Sequence, residues 1–208
     1  MNFEFSDDQK QLRDQARRYL AEHSPPKAVR AVLEGNAPYD KALWKGLAEM
    51  GFLGVAIPEE FGGAGAGHLE LCVIAEEIGR ALAPVPFSST IYLAAEAIML
   101  AGSDAQKAKW LPKIASGEAI GTLALFEGVG NPSHKAIKVS ASQGAVSGTK
   151  TPVADGAIAD FAIVAARTGS TGREADIGLF IVDLTGDGHA DVLITEDRVF
   201  TWLPSLAE

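Results

Sequence analysis

Apolar residues recur at helical spacing through the first half of the chain and at strand spacing through the second, with the change at Gly121. Leu12, Ala16, Tyr19 and Leu20 make one stripe of a helix capped by Ser6, with Gln9 at the capping-box position and Asp7 and Asp8 in its first turn. His23-Ser24-Pro25-Pro26 ends that helix, and a shorter one is expected from Pro26 to Leu33. A third starts near Asp40, places Leu43, Trp44, Leu47 and Met50 on one face, and stops at Gly51. After the apolar run Phe52–Ile57 and a long turn over Pro58–Gly67, helix returns from about His68 to Leu82, with Leu71, Ile74, Ala75 and Ile78 inward. Cys72 lies in the same apolar pattern and is expected to fill core; of Glu76 and Glu77, one should face solvent and the other a neighbouring helix end. Pro84 and Pro86 break the chain, and a helix capped by Ser88 or Ser89 follows to Leu100. Ser103-Asp104-Ala105-Gln106 is a second capping box, opening a helix that Pro112 should kink or shorten.

From Gly121 the period changes. Strands are expected over Thr122–Phe126, Ala136–Ser140, Ala145–Val153, Ala162–Ala166, Ile177–Val182 and Val192–Thr195, with Gln143-Gly144 as a hairpin turn. Helices followed by strands, without alternating βαβ units, imply an α+β protein. The stretch Gly121–Ser133 stands at the junction: a strand that opens into a Gly- and Pro-containing loop with Glu127 at the corner. Such strand ends commonly hold ligands on a rigid scaffold, and as commonly do no more than turn a corner.

Charge narrows the classes. The 208 residues carry a net charge of −9, with acids in excess on both sides of Gly121, so neither a nucleic-acid surface nor an anionic membrane surface is expected. Met1–Asp8 has no basic or apolar run typical of a signal peptide, and the apolar window Ile91–Leu100 is interrupted by Glu96 and too short to insert in a bilayer. One cysteine allows no internal disulfide and fits a reducing, cytoplasmic setting.

Individual residues say less. Gly63-Ala64-Gly65-Ala66-Gly67 before a helix mimics a dinucleotide-binding turn, but Glu59 and Glu60 crowd the phosphate position and no parallel βαβ unit follows; a glycine loop packed between helices is the stronger reading. The four histidines have no ligand spacing, so no metal site is expected. Asp183–Asp191 resembles a calcium loop only weakly, lacking the late bidentate glutamate, and reads as a connection between strands. Ser88, Ser89 and Ser133 sit in no nucleophile elbow.

Longer strings are more specific. Phe5-Ser6-Asp7-Asp8-Gln9, Gly51–Gly63 with its Pro58-Glu59-Glu60-Phe61-Gly62-Gly63, Ala75–Arg80, Gly102–Lys107, Trp110–Glu118, Ala124–Glu127, Gly148–Lys150 and Ala159-Asp160 occur in the order found in acyl-CoA dehydrogenases. The chain resembles the N-terminal portion of that family over nearly its whole length. The resemblance implies an N-terminal helical domain over 1–118 and an antiparallel, β-barrel-like middle domain over 119–208, expected to be incomplete. It implies FAD as cofactor, an acyl-CoA substrate oxidised at its α and β carbons in fatty-acid or steroid side-chain degradation, and an electron-transferring flavoprotein as acceptor. A homo- or hetero-oligomer is expected. The family pattern continues into a C-terminal helical domain that supplies the catalytic base, so no catalytic residue is assigned here and this chain alone is expected to be inactive.

The resemblance also marks departures. Where the family reads Thr-Glu-Pro and Gly-Ser-Asp at the flavin, this chain reads Phe126-Glu127-Gly128 and Asn131-Pro132-Ser133. Where it reads Trp-Ile-Thr, this chain reads Pro152-Val153-Ala154. Phe126 has no hydroxyl, and Pro132 has neither a hydroxyl nor an N–H. By resemblance, Leu125, Phe126 and Val153 remain as cofactor-binding residues, through their backbone. The alternative implied by these losses is a non-catalytic structural subunit of a heteromeric acyl-CoA dehydrogenase.

Overall fold

The computed structural model describes residues 4–130, 133–142, 144–184, 190–194 and 200–204. The expectations for Pro132, for Gln143 of the hairpin turn, for 185–189 of the calcium-like loop and for Thr195 lie outside the described residues. The chain divides into two compact units: Met1–Phe87 with Ile98–Glu118, and Ser88–Ala97 with Ala119–Glu208.

The first unit is helical. Helix α1 (Asp7–His23) starts on a reciprocal box in which Ser6 Oγ accepts from the Gln9 amide and Gln9 Oε1 accepts from the Ser6 amide. Helices α2 (Pro26–Leu33), α3 (Lys41–Glu49) and α4 (His68–Arg80) follow. Leu43, Trp44 and Leu47 are buried on α3 as expected, but Met50 is 40% exposed because the helix has already ended at Glu49. On α4 the buried face is Leu71, Val73, Ile74, Glu77 and Ile78. Cys72 is exposed, a correction to its reading as core; at helical spacing it falls on the side of α4 opposite that stripe. Helix α6 (Asp104–Ala115) has the second reciprocal box at Ser103 and Gln106 and runs on past Pro112 to Ala115.

The glycine loop is packed inside this unit. Amides of Gly63, Ala64, Gly65 and Ala66 donate to the carbonyls of Pro58, Gly54, Ile57 and Val55, so the loop clasps the buried run Phe52–Ile57. A Cβ on Gly63 would lie 2.0 Å from the Ile57 carbonyl oxygen. Four consecutive amides spent internally are not free to cradle a pyrophosphate.

The second unit is a curled mixed sheet: β1 (Gly121–Ala124), β2 (Ser140–Ser142), β3 (Ala145–Lys150), β4 (Phe161–Arg167), β5 (Ile177–Asp183), β6 (Ala190–Ile194) and β7 (Phe200–Pro204). Strand order is β1-β4-β2-β3-β7-β6, with β5 also on β4. Pairs β2–β3, β4–β5, β3–β7 and β6–β7 are antiparallel, while β1–β4 and the short β2–β4 contact are parallel. Strand β4 is buried on both faces from Phe161 to Ala166. Ala162, Val164 and Ala166 pack with Ala124, Val139, Val146, Val153 and Val182 as the sheet core. The helical order and then the sheet make the α+β class expected from the pattern.

The helix expected from Ser88 to Leu100 is wound in two ways: a π-helical segment over Ser88–Ala95, then α5 (Glu96–Ala101). Thr90 Oγ1 donates to the Gly121 carbonyl at 3.2 Å and accepts the Gly121 amide at 3.3 Å, serving as a pairing partner for the start of β1. A Cβ on Gly121 would meet Phe161 Cζ at 2.4 Å and Ala94 Cβ at 2.7 Å, so the close approach of segment and sheet requires glycine here. Among the described residues no helix is long and apolar enough to cross a membrane, and no cluster of His, Cys, Asp and Glu could hold a metal.

Candidate functional site

Strand β1 stops at Ala124, and the chain beyond it is held by side chains and by the end of β3. The Thr151 amide donates to the Phe126 carbonyl at 2.8 Å, and the Gly128 amide donates to the Thr151 carbonyl at 2.7 Å. Strand β3 stops one residue earlier, because Pro152 has no N–H for a ladder. Thr122 Oγ1 donates to the Ala154 carbonyl at 2.6 Å and ties the following turn to β1.

Glu127 is the hub. Its carboxylate accepts the Lys150 ammonium at 2.6 Å, the Lys138 amide at 2.7 Å and the Val139 amide at 3.0 Å. Lys150 Nζ also donates to the Leu125 carbonyl at 3.2 Å. The Lys150 side chain is 1% exposed and that of Glu127 10%. Burial pushes the Glu127 carboxyl up, but the hydrogen bonds from Lys150 and the two amides outweigh it and hold the group below the usual carboxylate range. Burial lowers the Lys150 ammonium from its ordinary value, with Glu127 pulling it partly back.

The loop after Ser133 is clamped from β4. Arg167 donates to the Ile137 carbonyl through Nε at 3.2 Å and Nη2 at 3.1 Å, and through Nη2 to the His134 carbonyl. Its Nη1 lies 3.6 Å from Asp176 Oδ2. Thr171 and the Arg173 amide hydrogen-bond Asp176, and these bonds, Thr171 first, keep its carboxyl below the ordinary range against burial. His134 Nδ1 faces Glu174 at 3.3 Å. Between these groups lies an open cavity of about 430 Å³ lined by Leu125, Ser133, His134, Ile137, Glu174 and Ile177. That volume is within the ~300–1,000 Å³ common for small-molecule sites.

Of the three residues expected to hold a cofactor, Leu125 and Phe126 stand at this strand end, partly exposed, with their carbonyls engaged by Lys150 and Thr151. Val153 follows the same Thr151 by two residues, but its side chain is 2% exposed and belongs to the sheet core. Its carbonyl accepts the Gly156 amide in a turn that Asp155 enters at φ 54°, held by Ser89 Oγ at 2.6 Å. Residue-level reading missed the Glu127–Lys150 pair and the Arg167 clamp. The one signal for the pair was the lone acid at the β1 corner, since Lys150 ends a largely polar strand in which a lysine attracts no notice.

For a flavin, the fit is divided. The backbone at 126–128 is hydrogen-bonded to Thr151, and Leu125 beside it lines a cavity of suitable size. The side chain at 126 is a phenyl group with no hydrogen bond to offer, and Pro152-Val153-Ala154 present neither an indole nor a hydroxyl. Glu127 itself is committed to three donors and has no free role as a proton acceptor.

Residues 6–118 match the family described as acyl-CoA dehydrogenase, N-terminal domain. The chain is 34% identical over 186 residues to the mitochondrial isovaleryl-CoA dehydrogenase of Pongo abelii, covering 86% of this chain and 44% of that protein. It is 34% identical to a chain of a variant Tcur3481-Tcur3483 steroid ACAD, with a TM-score of 0.75 over 97% of this chain and 55% of that one. The ChsE4-ChsE5 complex from Mycobacterium tuberculosis is similar at 26% identity and a TM-score of 0.81, over 100% of this chain and 56% of that one. The chain spans about half the length of the curated relatives it matches, 44% and 48% in two of them.

Proposed function

The chain belongs to the acyl-CoA dehydrogenase family, and from that membership we propose that it contributes the helical and middle-domain half of an FAD-dependent dehydrogenase acting on an acyl-CoA thioester. Members of the family are oxidoreductases. The observation that carries the reading is the strand end Leu125–Glu127, pinned by Lys150 and Thr151 beside an open cavity. Leu125, Phe126 and Val153 would meet the flavin through their backbones; with the carbonyls of Leu125 and Phe126 engaged, those two would offer their amide N–H groups. FAD, when bound, supplies the hydride acceptor for oxidation at the α and β carbons. The chain's own residues orient the ring and close off water around it. No described residue is assigned the base. Glu127 is a poor one, since it stays ionised below the ordinary range and all its bonds point into the protein. Electron-transferring flavoprotein is the proposed acceptor of the electrons.

A second reading has its own observation. Phe126 places a ring where the family pattern has a hydroxyl, and the two solved structures above are both named for two components. In that reading this protein is a structural subunit, paired with a homologue that binds flavin. The visible spectrum of the purified protein separates the two. Bound flavin that bleaches on addition of an acyl-CoA would exclude the structural subunit. A colourless protein that acquires flavin only with a co-expressed homologue would exclude the self-sufficient enzyme.

A further inference from the structure

The peptide between Leu125 and Phe126 has an uneven set of partners. Its carbonyl, on Leu125, accepts the Lys150 ammonium at 3.2 Å. Its N–H, on Phe126, meets no acceptor among the described residues, although the next carbonyl, that of Phe126, takes the Thr151 amide at 2.8 Å. The β1–β4 ladder stops at Ala124, so no strand partner claims the Phe126 amide. Backbone donors that the protein leaves unpaired are satisfied by water or by a ligand. With a phenyl side chain at 126, this N–H is also the only donor that the position has left.

Lys150 is the unusual member of the group. Its side chain is 1% exposed and among the largest that are fully buried. An apolar side chain of similar length would fill the same space without the desolvation cost of an ammonium. The ammonium divides its donors between the Glu127 carboxylate at 2.6 Å and the Leu125 carbonyl. The second of these is a charge-assisted bond, roughly twice as strong as one between neutral groups. A peptide is one conjugated unit, so electron density drawn onto its oxygen leaves its nitrogen and makes the N–H a stronger donor. Along chains of hydrogen bonds such strengthening is roughly 10–30% per bond. Glu127 neutralises the ammonium at short range, so the pair projects little net field and the effect stays on the bonded peptide.

We propose that Lys150 is a positioning residue that tunes the flavin: its ammonium polarises the Leu125–Phe126 peptide so that the Phe126 N–H favours the more electron-rich, reduced form of the ring. The proposal rests on the flavin reading above and extends it to a side chain that acts on the cofactor only through a peptide.

Two variants separate charge from packing. Lys150→Arg keeps a cation at the position. Lys150→Met combined with Glu127→Gln removes both charges and leaves no buried ion unpaired. Each purified protein is incubated with FAD and titrated with dithionite beside a redox dye. In the double variant the affinity for reduced flavin should fall about fivefold relative to that for oxidised flavin, roughly 20 mV for a two-electron couple. The arginine variant should keep the parent's potential. A lysine that merely held the strand would alter both affinities alike and leave the potential unmoved.

A second measurement needs neither flavin nor a variant. The ¹⁵N-labelled parent is followed by NMR as pH rises through the titration of Lys150, which burial brings below the ordinary lysine value and whose one charged neighbour among the described residues is Glu127. The Phe126 amide should move upfield with that titration, and the Thr151 amide, bonded to the next carbonyl, should move far less. Bound flavin with the same potential in parent and double variant would overturn the tuning alone, as would a Phe126 amide that does not follow Lys150. A parent that takes up no FAD would overturn the flavin reading itself, and this proposal with it.

Discussion

Lys150 and Glu127 form an ion pair at 2.6 Å in which the ammonium is 1% exposed. Twenty-three positions separate them in the chain, and the pair joins the end of β3 to the corner after β1. A buried pair is weak evidence of net stability, because desolvation offsets much of the attraction. Its breaking is another matter. Lys150→Met would leave the Glu127 carboxylate buried with only two amides, and should lower unfolding free energy by roughly 3–5 kcal/mol. Lys150→Met with Glu127→Gln should recover at least about 1 kcal/mol of that loss, because no charge then remains inside. Urea unfolding of the parent, the two single variants and the double variant gives the coupling. A Lys150→Met protein as stable as the parent would mean that water reaches Glu127.

Glu77 ties α4 to α1. Its carboxylate is fully buried and accepts Arg17 Nη2 at 2.7 Å and Arg80 Nε at 2.7 Å. The bond from Arg17, with Arg80 behind it, holds the carboxyl below its ordinary value against burial. A carboxylate with a depressed folded pKa contributes stability that is complete above the unfolded value, about 4.3, and is lost as pH falls through the folded one. Stability of the parent should therefore drop on acidification below the ordinary glutamate range. Glu77→Gln should cost about 2–3 kcal/mol at neutral pH, less than a fully buried pair because both guanidiniums are half-exposed. The gap between variant and parent should narrow in acid. Glu127 and Asp176 titrate in the same direction, so the narrowing of that gap, rather than the parent's slope, is the measurement.

The glycine loop separates space from propensity. Gly63 has the Ile57 backbone where a Cβ would go, whereas a Cβ on Gly79 in α4 meets nothing within 4 Å. Gly63→Ala should lower stability by roughly 3 kcal/mol or more, since backbone must move. Gly79→Ala should be neutral to stabilising, by up to about 1 kcal/mol. Thermal scans of both variants, with and without NAD or ATP, check the packing and the phosphate question together. A rise in the parent's midpoint with either nucleotide would revive the dinucleotide reading.

How far the chain could be read from its spelling follows from the range of the forces involved. The capping boxes at Ser6 and Ser103 act over three residues, and both form as spelled. Strand ends depend on distant partners. The strand expected over Ala136–Ser140 is instead Ser140–Ser142, because Glu127 takes the amides of Lys138 and Val139 and Arg167 takes the carbonyl of Ile137. Strand β1 ends at Ala124 rather than Phe126, because Phe126 bonds Thr151 outside the ladder. The π-helical winding of Ser88–Ala95 coincides with Thr90 reaching Gly121, and no periodicity announces it. Glu76 and Glu77 divide as expected into one exposed acid and one turned inward, but Glu77 meets arginine side chains of α1 and of its own helix rather than a neighbouring helix end. For the candidate site, family spelling located the strand end, but the charges that hold it lie too far apart for local pattern to join.

Phe126 offers the direct test of the flavin reading. Its neighbours Leu125 and Glu127 are held by Lys150, so a change at 126 should alter that side chain without releasing the strand end. Phe126→Thr restores the hydroxyl of the family pattern, and Phe126→Ala opens the same space without one. One added hydrogen bond is worth on the order of 1 kcal/mol, about fivefold in affinity. Flavin titrations followed by fluorescence should therefore rank the threonine variant about fivefold tighter than the alanine variant, with the parent at or below alanine. If threonine and alanine bind flavin equally, the side chain at 126 does not face the ring, and the contact assigned to this strand end is wrong. If threonine alone converts a colourless protein into a flavoprotein, the structural-subunit reading gains its mechanism: loss of one hydroxyl at the β1 corner is enough to hand the cofactor to a partner.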